Sequence, residues 1–411
     1  MDTEGIGPRI AYWRKRRGMT QLDFAALMGQ SPRWVQSLEG GQRQADPRLS
    51  VLETAARVLQ IPIEILLRDV PGSRCVDAVE LANIRDTLQR HDVITGTADA
   101  YPGEPLAAEV LWGRLVHARS AFQAGRYASL GTAVPELLLD TNRAAARHSG
   151  EEQLAAFGIL AMALNLAESA AIKFGAPDLA VMSANRAVVA AERSEDSVIM
   201  ASAACHLADA MTHDGRALAA TAFAVAAAGR LESDLLVRGA DGLSVLGMLY
   251  LKAAMAQANT AEAAEDSRPS SGVVDYLDQA DQHADRLGRD DNRLWTAFGP
   301  TNVAVYRVAA DVQLSEGARA VAVAEAIPAA SHAALPRERR AHHLADLARA
   351  YQQAGRRDKA VDTLLDAERE APEEVRCRPR TRELVKDLRL LGVGAAEGRL
   401  RSLAGRCGLP E

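Results

Sequence analysis

The chain has 411 residues and a net charge of −6, and it is 48% hydrophobic but only 4% aromatic. That length holds two or three domains, and the acidic balance excludes a protein that coats nucleic acid over its whole surface. Four scattered cysteines, with no Cys-x-x-Cys or Cys/His cluster, predict free thiols in a reducing cytosol and exclude structural zinc. No stretch reads as a membrane span or a secretory signal, so a cytoplasmic protein is expected. The first 70 residues carry +2 and the remainder −8, which suggests a head and a body with different tasks.

Alanine-rich windows punctuated by glycine predict helices throughout. In the head, Ile6–Arg17 reads as a helix ending at Gly18, with basic residues in its last turn. Thr20 caps a second helix, Gln21 to Met28, closed by Gly29. Ser31 caps a third, with Pro32 at its first position, where a missing N–H costs nothing. This helix stops at Gly40-Gly41. A fourth helix spans 48–60, and a short fifth starts at Pro62. A break follows at 69–73.

Phe24, Ala25 and Met28 are expected to face inward on the second helix, and Val35 and Leu38 on the third. A joint as small as Gly29-Gln30-Ser31 makes the two helices cross steeply. Pro32, Arg33, Gln36 and Ser37 then share an outward polar face at the start of the third helix. Arg offers a fork to guanine O6/N7, and Gln pairs with adenine N6/N7. The N-terminal half of such a helix is the part that enters the major groove.

The segment 20-TQLDFAALMGQSPRWVQSLEGGQR-43 resembles the phage-repressor (Cro-type, xenobiotic-response-element) helix-turn-helix family, over roughly residues 5–68. The resemblance implies a five-helix lambda-repressor-like domain over 1–68 that binds double-stranded operator DNA. It implies that Gln21 holds a phosphate, that Ser31, Pro32, Arg33, Trp34, Gln36 and Ser37 form the reading helix, and that Gln42 and Arg43 lie along the backbone. It also implies a buried pair between Arg14 and Glu39. Pro32 departs from the family pattern, because a polar base-reader is usual there.

From 74 to 411 the chain reads as helix after helix, joined by short turns such as 125-GR-126, 175-GAP-177, 214-DGR-216 and 355-GRR-357. The polar stretch 259–272 is expected to be a loop. In 344–372, Leu344, Leu347, Ala348 and Tyr351 stripe one helix, Gly355 breaks it, and Ala360, Leu364 and Ala367 stripe the next. The pattern is similar to the tetratricopeptide repeat, with a period of about 34 residues. Six or seven helix pairs stacked as an α-solenoid are expected, presenting a concave groove.

The two-part plan resembles actinobacterial helix-turn-helix regulators with a tetratricopeptide body and, more loosely, peptide-sensing regulators. That implies a homodimer whose body holds a peptide or small-molecule effector. Asn165, Asn185 and Asn302 are candidate groove amides, and Trp295 and Tyr306 candidate pocket rings. Core packing competes with each of these roles. A DNA-tethered protein-interaction scaffold is the other reading, and it predicts a wide open groove with no enclosed pocket. No catalytic motif appears, and no cofactor or metal is expected. His206 with His213, and His342 or His343 with Asp346, lack a third ligand at sensible spacing.

Overall fold

The computed structural model describes residues 6–16, 19–40, 47–59, 63, 66, 79–90, 103–263 and 271–409. Among these the protein is all α-helix and short 3-10 turns, with no strand. Its contacts divide the chain into two compact units, Met1–Arg74 with Ala404–Glu411, and Cys75–Leu403. Gln42, Arg43, the 69–73 break and most of the short fifth helix lie outside the described residues; Ile63 and Leu66 within it are helical.

The first unit holds α1 (Ile6–Arg16), α2 (Gln21–Met28), α3 (Pro32–Glu39) and α4 (Leu49–Leu59). Local chemistry sets their ends. Thr20 and Asp23 form a reciprocal capping box at α2, which holds the Asp23 carboxyl below its usual range. Gly29 ends α2 at φ 65, a left-handed position where a Cβ is costly. Ser31 Oγ accepts from Trp34 N at 3.2 Å to start α3. Phe24, Ala25, Met28, Val35 and Leu38 are all buried, joined by Ile10, Leu52, Leu59 and Leu66 in one core. Gly7 lets α1 touch α3, because a Cβ there would stand 2.3 Å from the Leu38 carbonyl oxygen.

The second unit runs through α5 (Val79–Leu88), α6 (Ala108–Gln123), α7 (Leu130–Arg147), α8 (Glu151–Lys173), α9 (Pro177–Ser194), α10 (Ser197–His213) and α11 (Ala217–Leu236). It continues through α12 (Gly239–Ala263), α13 (Ser271–Leu287), α14 (Pro300–Gln313), α15 (Gly317–Glu325), α16 (Ala329–Ala334), α17 (Arg337–Gln353) and α18 (Arg357–Glu370). Then come α19 (Pro372–Cys377), α20 (Pro379–Leu391) and α21 (Glu397–Arg406), which belongs to this unit up to Leu403. Helices pack on their neighbours, and α8 on α10 and α10 on α12 besides, which is the contact pattern of a solenoid.

Five hairpins share one turn. In each, a left-handed residue is followed by an N–H bonded to the carbonyl five positions back: Arg126 to Ala121, Ala176 to Ala171, Arg216 to Met211, Glu316 to Asp311 and Arg356 to Tyr351. The left-handed residue is glycine at 125, 175, 215 and 355, and Ser315 at the fifth. Gly175 to Gly215, and Ser315 to Gly355, each span 40 positions, longer than the expected period. The helices are correspondingly long, 23 residues in α8 and 18 in α9.

Two expectations need correction. The stretch 259–272 is helical up to Ala263 and again from Ser271, because Asn259 and Thr260 bond back to the carbonyls of Met255 and Ala256 within their own helix. Helix α8 is also long and apolar enough to cross a membrane by length and composition, but it lies buried in the core of the body.

Candidate nucleic-acid interface and inner chamber

The outward face of α3 is built by what α3 buries. With Val35 and Leu38 in the core, Ser31, Pro32, Arg33 and Gln36 are exposed and Ser37 and Trp34 half-buried. Trp34 packs on the edge of the head core. An arginine fork, an amide and a hydroxyl therefore stand together at the N-terminal half of one helix. Glu39, at its other end, is buried. It accepts from Arg14 Nε at 2.5 Å and Arg14 Nη2 at 3.0 Å, and Arg14 Nη1 donates to the Met19 carbonyl at 2.6 Å. Gln21 Nε2 donates to the same carboxylate at 2.8 Å. One carboxylate thus ties α1, α2 and α3 together. A carboxamide carries two N–H donors, so Gln21 keeps one beyond Glu39.

The body holds a partly open chamber of about 540 Å³ lined by α6, α8, α10, α12, α14, α17, α20 and the loop after α13. Trp295 and Tyr306 line it. Asn302 lies behind the wall, 1% exposed, donating to the Thr296 carbonyl and accepting from Arg339 Nε at 2.8 Å. It orients a lining side chain. Asn165 is buried in the core beside Ser202, 3.2 Å away. Asn185 is exposed, bonds back to the Val181 carbonyl, and does not line the chamber.

Buried charge concentrates on the chamber wall. Lys173 Nζ binds Glu338 and stands 2.8 Å from Glu374, which Tyr127 Oη also reaches at 2.5 Å. Burial disfavours the Glu338 charge, but Lys173 outweighs it and holds that carboxyl well below its usual range. Glu338, His342 and Glu374 could together hold a cation, and the Lys173 ammonium already bridges the two carboxylates. Lys252 pairs with Asp209 at 2.9 Å; burial opposes the Lys252 charge, yet Asp209 raises its pKa on balance. His206 Nδ1 lies 2.6 Å from Glu168, whose pKa burial raises. His342 and His213 line the chamber with pKa values depressed by burial, His213 to about 4. Arg119 is 4% exposed. Its Nη2 donates to the Met162 carbonyl at 3.0 Å and its Nε has no partner among the described residues.

Arg119, Lys173 and Arg339 were not singled out from sequence. The available signal was a lone cation inside a largely apolar helix, as at Lys173; Arg119 shares α6 with Arg114 and gave no such signal.

The helix-turn-helix family profile matches residues 10–66. No curated protein matches the chain. Among solved structures, the chain is similar to Bacillus thuringiensis PlcR in complex with the peptide PapR7 and DNA. That match has 16% identity and a TM-score of 0.31, over 69% of this chain and 96% of that one. So loose a superposition leaves the function of the body to its own residues. The amino-terminal unit is a helix-turn-helix domain.

Proposed function

We propose that the chain is a DNA-binding transcription regulator whose helical body senses a small signal. The observation that carries the reading is the α3 face: Arg33 and Gln36 stand exposed while Glu39, Arg14 and Gln21 brace the helix from behind. Arg33 and Gln36 are assigned to base edges, Ser31, Pro32, Trp34 and Ser37 to the surrounding groove wall, and Gln21 to a phosphate through its remaining N–H. Gln42 and Arg43 are assigned to the backbone from the family resemblance. The protein acts as a homodimer on a two-fold operator, with half-sites about one DNA turn apart. A partly open chamber of about 540 Å³ supports the sensor reading, because that volume suits a small molecule.

The test is selection of duplexes from a random pool by the full chain, followed by titration of the winners at rising salt. The reading expects an enriched two-fold motif and an affinity that falls steeply as salt rises. Retention of every duplex equally at low salt, with no motif emerging, contradicts it.

A further inference from the structure

Polar ties surround the chamber. Tyr127 bonds Glu374, Lys173 bonds Glu338, and Gln123 and Asn292 exchange amide bonds at 2.9 and 3.1 Å. These ties join segments far apart in sequence. The chamber's volume of about 540 Å³ suits a compact molecule.

The loop after α13 is built to present one ring. Leu294, Trp295 and Ala297 all take left-handed φ values, 50, 59 and 49, which side-chain-bearing residues adopt at a cost. Two anchors hold them there. Asn292 Oδ1 accepts from Ala297 N at 3.1 Å, and Phe298 fills the space over Gly247, where a Cβ would stand 2.0 Å from the ring. The result sets Trp295 against Trp112 and the Arg119 guanidinium, each 5.5 Å away between centres.

The lining carries seven Lys and Arg against four Asp and Glu, an excess of positive charge. Two of those acids already have a cation, Asp209 with Lys252 and Glu338 with Lys173. Three of the cations have no hydrogen-bonded carboxylate among the described residues: Arg119, which Glu168 attracts only at a distance; Arg339, which donates to Asn302 and lies 4.3 Å over the Tyr306 ring; and Arg349, which donates to the Arg380 carbonyl. Burial lowers the Arg119 pKa to about 10, so it stays charged at neutral pH with one N–H unused. A buried charge with an empty donor is costly unless something completes it.

We infer that the chamber takes a small organic anion with a planar apolar part, an aryl carboxylate, bound by Arg119 and Arg339 and stacked on Trp295 or Tyr306. A guanidinium matches a carboxylate in shape and charge. The inference rests on the reading of the body as a sensor and gives that sensor its ligand class.

The test uses the full chain and two probes of one shape, 2-naphthoate and the neutral 2-naphthamide, titrated by calorimetry. The expected result is saturable binding of naphthoate, about tenfold or more tighter than naphthamide, the worth of one charge-assisted hydrogen bond. Arg119→Met should remove that advantage and leave naphthamide binding as it was. Arg339→Met serves if the first variant does not fold, and the comparison of the two probes on the unaltered chain needs no variant. Equal binding of acid and amide, no saturable naphthoate binding, or a naphthoate affinity unmoved by Arg119→Met overturns the inference. The same samples are titrated with a selected operator duplex. Selective naphthoate binding without any change in operator affinity upholds the ligand class and contradicts the sensor reading.

Discussion

The head and the body both pair buried charge, but they differ in how completely they do so. In the head, Arg14 and Glu39 satisfy each other, with Gln21 and Met19 completing the set, and the polar groups with work left to do face outward on α3. In the body, polar groups face inward, and Arg119 is left with an unused donor at the chamber wall. A complete internal pair holds a fold together, whereas an unused buried donor stands open to a further partner.

The comparison breaks first at the complete pairs. Glu39→Gln in the head and Lys173→Met in the body each leave a buried charge without its partner, and each should cost about 3–5 kcal/mol. Chemical denaturation of the two variants measures this. A loss under about 1 kcal/mol in either would mean that water already reaches the pair.

Acid sharpens the comparison next. His343 is buried, and burial, with His332 and Arg339 near it, lowers its pKa to about 3. The unfolded group titrates near 6.5, so the stabilisation is full above that pH and is lost as pH falls from 6.5 toward 3. By pH 5 the loss is about 2 kcal/mol from this group. Denaturation midpoints at pH 7.5 and pH 5 should therefore converge in His343→Leu relative to the unaltered chain; an identical drop in both would remove His343 from the account.

Arg119→Met supplies the contrast to Lys173→Met. It removes a charge that has no carboxylate partner, so the stability should stay within about 1 kcal/mol of the unaltered chain. A loss as large as that of Lys173→Met would make Arg119 a structural residue. Smallest of all, Ser315 holds φ 61 where the equivalent turns use glycine, and Ser315→Gly should stabilise the body by about 0.5–1 kcal/mol in thermal unfolding. A fall in stability would show that the Ser315 side chain contributes contacts of its own.

The head was legible because its signals are local. Thr20, Gly29, Ser31 and Pro32 each act within a few residues, and the burial of Val35 and Leu38 follows from helical spacing. The turns at 125, 175, 215 and 355 were legible for the same reason. The chamber was not. Helix α8 is apolar on every side, so nothing in its periodicity says that Asn165 points at Ser202 or that Lys173 ends beside Glu338 and Glu374. Those pairings span dozens to hundreds of positions and are set by how the solenoid closes. Asn259 and Thr260 misled in the other direction, since polar residues that bond to their own helix read as a loop.

The central claim is that α3 reads base edges through Arg33. Selection of duplexes by the unaltered chain and by Arg33→Ala, side by side, tests it most directly. The account predicts that the variant still enriches a two-fold motif but loses its preference at one base pair in each half-site, worth about 1–3 kcal/mol there. An unchanged motif from the variant would contradict the claim.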